Sequence, residues 1–195
     1  MIDKLVEYFI DQQLKAGMFT NESISVYRYG YTLLFEMLTN MVIAIIIGCF
    51  FHELPVVVFF LFNFIPLRSY CGGYHATKAW RCIILSNAFI AFVVLFSSNM
   101  YLSINNKVIF LLEIICIGLI MALAPIQSSA KKLNDNEKQI YKKYIKLILI
   151  IQIILEIFFL SLGLNKFIYV IISSHIIQAL ALVTARYKIR IINFL

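Results

Sequence analysis

Apolar positions recur with helical spacing at the start of the chain. Within residues 2–16 they return every three or four positions, and charged residues fill the opposite face. This pattern predicts an amphipathic helix over the segment 1–17, better suited to lying on a membrane surface than to crossing the bilayer. Gly17 and the polar residues after it end the pattern.

Long apolar stretches dominate the remainder of the chain. Six of them lie in a predicted membrane-spanning bundle over 30–185, at 30–51, 54–67, 80–98, 107–126, 144–163 and 166–185. A helix needs roughly 20 apolar residues to cross a bilayer, and about 17 at the least. The second stretch has only 14 residues and a proline near each end, so it is either a short span or a re-entrant element.

The composition agrees with this pattern. The 195 residues are 62% hydrophobic and 14% charged, whereas soluble domains are about 45–50% apolar and about a quarter charged. The sequence therefore predicts an all-α polytopic membrane protein, with one integral membrane domain over 1–195. No nucleic-acid partner is expected despite the net charge of +7. The first residues also lack the pattern of a removable signal peptide.

The basic residues predict the orientation, because Lys and Arg concentrate on the cytoplasmic side of a membrane protein. With six spans and a cytoplasmic N-terminus, all of the 17 basic residues except Lys107 and Lys166 fall inside. Both termini, residues 68–82 and the loop 127–146 are therefore expected in the cytoplasm.

Reactive side chains are concentrated in residues 68–82, RSYCGGYHATKAWRC. Of the three histidines, only His75 falls on the predicted cytoplasmic side, where Cys71 and Cys82 flank it. The reducing cytosol argues against a disulfide between these cysteines. Cys82 begins the third span beside Arg81, and a nearby cation and a helix N-terminus both favour the nucleophilic thiolate. Cys82 and His75 are therefore the candidate nucleophile and base.

The spacing of His75 and Cys82 in the sequence would keep them apart on a straight helix. The two residues are seven positions apart, which on a straight helix separates them by about 10 Å. A general base must come within about 3 Å of the proton it removes. Gly72 and Gly73 supply the remedy, because glycine permits turns with positive φ that could fold His75 back toward Cys82.

Three acids lie within the apolar stretches: Glu36, Glu113 and Glu156. Ionisable groups in a membrane usually face a partner or a wet cavity. Only Glu36 lies in the predicted inner half of its span, near the depth of Cys82. It is a candidate third catalytic or orienting residue, and equally a structural acid paired with Asn40 or with an arginine.

Simpler interpretations stand beside these. Cys71, His75 and Cys82 could ligate zinc, but their spacing is irregular and a fourth ligand is missing, so no metal and no cofactor is expected. Arg68 could anchor its helix at the phosphate headgroups. His175, in the last span, is expected to be an interhelical hydrogen bonder.

The run RSYCGGYHA, followed by a cysteine seven residues after the histidine, resembles the motif of the accessory gene regulator B (AgrB) family. These are membrane-embedded cysteine endopeptidases of Gram-positive quorum sensing, and the resemblance extends to length, span number and the basic loop. It implies that His75 is the catalytic histidine and Cys82 the nucleophile. Arg68 and Gly73 match further motif positions, with Gly72 beside them.

The resemblance also concerns the basic loop. Lys131 and Lys132 resemble the basic group of the family's cytoplasmic loop. Together with Lys138, Lys142 and Lys143 they are candidates for binding an acidic substrate tail. The same charges could serve only as a topology signal.

The function that the resemblance implies is proteolysis of an AgrD-type propeptide in the cell membrane, with the active site at the cytoplasmic side. Cleavage of the acidic C-terminal tail through a thioester acyl-enzyme would leave a cyclic thiolactone. A homodimer is compatible with the family. The alternatives are a transporter for a small peptide, lined by the membrane acids and His175, or a scaffold that presents the propeptide to another protease. The absence of a nucleotide-binding loop and of inverted repeats disfavours the transporter.

Overall fold

The computed structural model describes residues 2–17, 24–73, 79–98, 106–126 and 134–192. These residues form helices and no strands, which confirms the all-α prediction. In chain order the helices are α1 (Ile2–Lys15), α2 (Ile24–Phe50), α3 (Leu54–Cys71), α4 (Ala79–Ser98), α5 (Asn106–Leu123), α6 (Asp135–Ser161) and α7 (Asn165–Ile192).

Helix α1 is the predicted amphipathic helix, and α2 covers part of its apolar face. Val6 and Ile10 are buried, and the ring of Phe9 packs against the ring of Phe35 with centroids 5.5 Å apart. On the polar side, Arg28 of α2 pairs with Glu7 at 3.0 Å. The predicted helix is therefore confirmed, and packing against α2 adds to any contact it makes with a membrane surface.

Four helices, α2, α3, α6 and α7, are long and apolar enough to cross a membrane. Within α4, a shorter apolar stretch covers Ile83–Leu95. Large apolar side chains point outward from these helices, such as Phe62 at 80% exposure. Such a surface would aggregate in water and is satisfied by lipid. The described residues therefore form a polytopic membrane protein.

Helix α3 corrects the prediction for the second apolar stretch. Its expected range, 54–67, was too short, because the observed helix has 18 residues and ends at Cys71. The helix runs through Pro66 and continues into polar positions. There the Ser69 hydroxyl donates to the Ile65 carbonyl at 2.8 Å. Shortness therefore no longer argues for a re-entrant element, since α3 has the length and composition of a span.

Two apolar clusters and a polar layer between them make up the core of the described residues. The cluster toward the end of α3 contains Leu67, Ile120 and Leu149, and the other contains Phe60 and Val170. Along each of α3, α5, α6 and α7, a buried polar residue comes next to these apolar positions. In chain order these polar residues are Asn63, Glu113, Gln152 and His175.

Candidate active site

Some predicted site residues lie outside the described part of the chain. These are His75, Lys131 and Lys132. Cys82 lies in the first turn of α4, where the structure describes its backbone. The contact between Cys82 and His75 therefore stays a prediction, and the site is built here from the residues on either side of it.

A tight turn follows α3 directly, as the two glycines predict. Gly72 has φ +68° and Gly73 has φ +134°, a region that side-chain-bearing residues rarely adopt. Space is restricted as well as conformation. A Cβ at Gly72 would lie 2.3 Å from the Ile126 carbonyl oxygen, and one at Gly73 would lie 2.1 Å from Nη1 of Arg68. Both positions therefore require glycine, and the chain bends just before His75.

The carbonyl of Gly72 is held from two sides. Nη1 of Arg68 donates to it at 2.8 Å, and Nε2 of Gln178 donates to it at 3.0 Å. The preceding carbonyl, of Cys71, accepts from the Ile126 amide at 2.9 Å. Side chains from α3 and α7 and a backbone segment after α5 therefore fix the turn in place.

Arg68 thus has a role inside the protein that differs from a headgroup anchor. Its side chain is half-buried, and its guanidinium donates to the backbone of the turn one helical turn ahead. An arginine suits this position because the planar guanidinium carries five donors in a fixed arrangement.

Gln178 is the residue of this arrangement that sequence reasoning missed. It is fully buried, and its amide reaches the turn across 106 positions of sequence. The signal available beforehand was a polar amide within an apolar span, one helical turn after His175. No sequence pattern indicates which backbone carbonyl such an amide contacts.

Glu36 is half-buried in α2, and the register of α2 against α4 relates it to Cys82. Nδ2 of Asn87 donates to Oδ1 of Asn40 at 2.9 Å, which sets these two residues level. The second half of α4, at residues 90–94, packs in one cluster with the first half of α3, at residues 56–60. Helix α4 therefore runs opposite to α3 and in the same direction as α2. Glu36 lies one helical turn before Asn40 on α2. Ile83, the neighbour of Cys82, lies one helical turn before Asn87 on α4. The described backbone therefore sets Glu36 level with the first turn of α4.

The start of α6 packs beside the end of α3. The ring of Tyr70 stacks on Tyr144 at 4.9 Å between centroids and meets Tyr141 edge-on at 5.4 Å. The side chains of Lys142 and Lys143, between those tyrosines in sequence, are exposed. Two of the predicted tail-binding lysines are therefore adjacent to the residues that precede the glycine turn.

The lysines of α6 differ in their surroundings. Lys138 pairs with Asp135 at 2.8 Å, which partly neutralises its charge. Lys142 lines a cavity of about 240 Å³ between α5 and α6, together with Lys146 and apolar side chains. A cavity lined by two lysines and by apolar residues is compatible with an acidic segment that also carries apolar side chains.

A second polar group lies deeper in the bundle. His175 contacts Oε1 of Glu113 at 3.1 Å and Oε1 of Gln152 at 3.0 Å. The prediction that His175 bonds between helices is confirmed. Glu156 lies close to this group, and its carboxylate has an oxygen within 4.8 Å of the ligating atoms of Glu113 and His175.

Fold and site together define a class: a polytopic helical membrane protein in which an arginine and two glycines form a turn before a histidine and a cysteine. The family model described as Accessory gene regulator B, AgrB, matches residues 2–182, and the chain belongs to this family. Membership supports a part in accessory gene regulator quorum sensing.

Two curated relatives come from Clostridium perfringens. The AgrB-like protein of strain SM101 is 25% identical over 174 residues, covering 83% of this chain and 79% of the relative. AgrB-like protein 2 of strain 13 is 24% identical over 171 residues, covering 85% and 78%. No solved structure matches the chain.

Proposed function

We propose that the protein is a membrane-embedded cysteine endopeptidase that removes the C-terminal tail of an AgrD-type propeptide and promotes closure of a thiolactone ring. The observation that carries the proposal is the Gly72–Gly73 turn, held by Arg68 and Gln178. A peptidase needs its histidine in a fixed position, and this turn fixes the backbone two residues before His75.

Covalent geometry permits the pairing of His75 with Cys82. An extended chain spans at most about 3.6 Å per residue, so the Cα of residue 75 lies within about 7 Å of Gly73 and about 14 Å of Ala79. Both anchors are ordered, the first by the turn and the second by α4. The bend frees the histidine from the straight-helix spacing that would keep it away from the thiol.

The proposed reaction uses these two side chains in turn. His75 takes the thiol proton of Cys82, and the thiolate attacks the carbonyl carbon that precedes the tail. The C–N bond then breaks, and the His75 imidazolium gives its proton to the leaving amine. The product is a thioester between the signal segment and Cys82, and a free acidic tail.

Ring closure follows by thioester exchange. The thiol of the substrate's own cysteine attacks the acyl carbon, its proton returns to the enzyme thiolate, and one thioester replaces another. Water would give a linear product, so exclusion of water favours the ring. Holding the substrate thiol near the acyl carbon lowers the barrier further, because proximity alone is worth several kcal/mol.

Substrate binding is proposed to use the basic start of α6. Lys142 and Lys143 are exposed beside Tyr141 and Tyr144, which pack on the end of α3. An acidic tail drawn to these lysines would leave its upstream bond near the glycine turn. The undescribed Lys131 and Lys132 are proposed to extend the same basic surface.

The test is mass spectrometry of the purified protein in lipid with an AgrD-type propeptide. Wild type is compared with Cys82→Ala and His75→Ala, and Cys49→Ala, in a different helix, is the matched control. We expect tail release in wild type and Cys49→Ala, no release in the other two, and a trapped thioester on Cys82. Continued cleavage by Cys82→Ala would reject the proposed nucleophile and favour the scaffold alternative.

A further inference from the structure

Glu113, Glu156 and His175 come from three different helices, α5, α6 and α7, and meet inside the bundle. His175 is fully buried and Glu113 nearly so. The ligating atoms of the three side chains all lie within 4.8 Å of one another. The proposed peptidase chemistry uses none of them, although keeping two acids and a histidine inside a membrane protein is costly.

The hydrogen bonds fix which nitrogen of His175 carries a proton. Nε2 of Gln152 donates to the backbone carbonyl of Asn63 at 3.0 Å. A carbonyl only accepts, so this bond fixes the amide orientation and turns Oε1 of Gln152 toward His175. That oxygen also only accepts, and it lies 3.0 Å from Nε2 of His175. Nε2 therefore carries the ring proton.

The other ring nitrogen then faces an acceptor. With the proton on Nε2, a neutral His175 presents the Nδ1 lone pair to Oε1 of Glu113, 3.1 Å away. Two lone pairs at that distance repel each other unless a positive centre lies between them. The position requires either an added proton or a metal ion.

Glu156 is the third ionisable side chain at this position. Its Oε1 is buried and has no hydrogen-bond partner among the described residues. Protons alone could satisfy the group only if Glu156 is also protonated and donates to Glu113, which puts two extra protons among three side chains. A divalent cation would contact all three side chains. Two carboxylates, a neutral imidazole and a divalent ion sum to zero charge, which suits the interior of a membrane protein.

We propose that Glu113, Glu156 and His175 form a binding site for a divalent metal ion of the Zn²⁺ class. Zinc binds nitrogen and oxygen ligands at about 2.0–2.2 Å, so tetrahedral ligand atoms lie about 3.4 Å apart. The separation of 3.1 Å between His175 and Glu113 is close to that value. The atoms of the half-buried Glu156 lie within 4.8 Å of the other two ligands, so a side-chain movement of up to about 1.4 Å brings Glu156 to the tetrahedral separation of about 3.4 Å.

The surrounding bonds are those that a metal-binding histidine requires. A ligating histidine donates its other N–H to an oxygen that fixes the ring and the tautomer. Gln152 provides that oxygen and is itself anchored on α3 through Asn63. The metal would join α5, α6 and α7 directly and α3 through this amide.

The site has a structural consequence for the glycine turn. Gln178, which holds the Gly72 carbonyl, follows His175 by one turn on α7. A metal ion that fixes the position of α7 at His175 also fixes the position of Gln178 relative to the Gly72–Gly73 turn. The proposed role is therefore to brace the four helices around the motif, and it does not depend on the proposed peptidase activity.

The test measures metal binding without substrate. Untagged protein purified in detergent is stripped with a chelator, titrated with Zn²⁺ and analysed for metal content, and its thermal unfolding is followed by circular dichroism. A parallel titration uses Co²⁺, whose visible absorption reports the coordination geometry. The variants are Glu156→Gln and His175→Gln, with Glu36→Gln, the remaining membrane acid, as the matched control.

We expect about one Zn²⁺ per chain in wild type and in Glu36→Gln, with a melting temperature that rises on Zn²⁺ addition. Glu156→Gln keeps the contact between His175 and Glu113 and should fold, but its Zn²⁺ affinity should fall at least ten-fold. Absence of binding in wild type would overturn the proposal and identify the group as one that shares protons. Unchanged affinity in Glu156→Gln would overturn the assignment of the three ligands.

Discussion

Arg68 and Gly73 compete for the same space. Nη1 of Arg68, while bonded to the Gly72 carbonyl, lies 2.1 Å from the place that a Cβ on residue 73 would occupy. The arginine can hold the turn only because residue 73 has no side chain. The two motif positions are therefore one structural unit, and a change at either should disturb the other.

Gly73→Ala is expected to lower tail cleavage by roughly ten-fold or more while the protein still folds. The added methyl group meets the far end of a flexible side chain, so Arg68 can move away at the cost of its bond to Gly72. The positive φ adds about 1–3 kcal/mol of strain. Cleavage rates and thermal unfolding of the purified variant check this. Gly118→Ala, in open space inside α5, should leave cleavage unchanged and should not lower the unfolding temperature, because alanine favours a helix over glycine. Equal loss of cleavage in both variants would refute the argument.

Gly72→Ala is expected to be the more damaging change, acting on stability itself. Its Cβ would lie 2.3 Å from the backbone oxygen of Ile126, and backbone cannot rotate away as a side chain can. The bond between the Ile126 amide and the Cys71 carbonyl would break as the segments separate. Detergent-solubilised Gly72→Ala should unfold at a clearly lower temperature than Gly73→Ala. A higher unfolding temperature for Gly72→Ala than for Gly73→Ala would show that the backbone of 124–126 moves at little cost in stability.

The helices and the glycine turn could be predicted from the sequence because each of them depends on a short local pattern of residues. Apolar stretches mark the helices, and the double glycine marks the turn, since few other residues adopt those angles. The length of α3 was underestimated because polar residues after Leu67 signal a membrane boundary. In the folded chain those residues find partners inside the bundle, and the helix continues to Cys71.

The partners of the site were not predictable in the same way. Gln178 and Gly72 are 106 positions apart, and nothing local in α7 selects that carbonyl. His175 was recognisable as a hydrogen bonder, but its two partners depend on how α5 and α6 pack against α7. Residue type indicates that a buried polar group needs a partner, and only the packing of helices determines which partner it finds.

Gln178→Leu is expected to reduce the rate of cleavage about five- to ten-fold, because a buried hydrogen bond of this kind contributes roughly 1 kcal/mol. Arg68 still holds the Gly72 carbonyl, so the turn loosens without being lost. The change should lower kcat and leave KM nearly constant, since the substrate-binding lysines are on α6. Steady-state kinetics separate the two constants.

The control for that variant is Thr184→Val on the same helix. Among the described residues, the Thr184 hydroxyl bonds within α7 alone, to the Leu180 and Ala181 carbonyls, and the residue is exposed. Its kinetics should match wild type. If Gln178→Leu also matches wild type, the amide does not position the turn.

Cys82 is expected to react with a water-soluble alkylating agent faster than the other cysteines. Its backbone lies in the first turn of α4, and the partial positive charge of a helix N-terminus favours a thiolate. Cys71 is fully buried at the end of α3, and Cys116 is buried in α5. Time-resolved labelling with peptide mass spectrometry measures each rate in one sample. Equal labelling of Cys82 and Cys49 would contradict an activated thiol.

Substitution of Lys142 and Lys143 by glutamine is expected to raise KM for an acidic-tailed propeptide about two- to five-fold per lysine, with a smaller effect on kcat. Exposed charges act mainly on encounter and binding, at up to about 1 kcal/mol each. Added salt should raise the KM of wild type toward that of the variants, because salt screens these charges. Lys138→Gln is the matched control on the same helix, and it should change KM less because Asp135 already pairs with that ammonium group. If all three substitutions leave KM unchanged, the basic start of α6 does not bind the tail, and its charges then only orient the protein in the membrane.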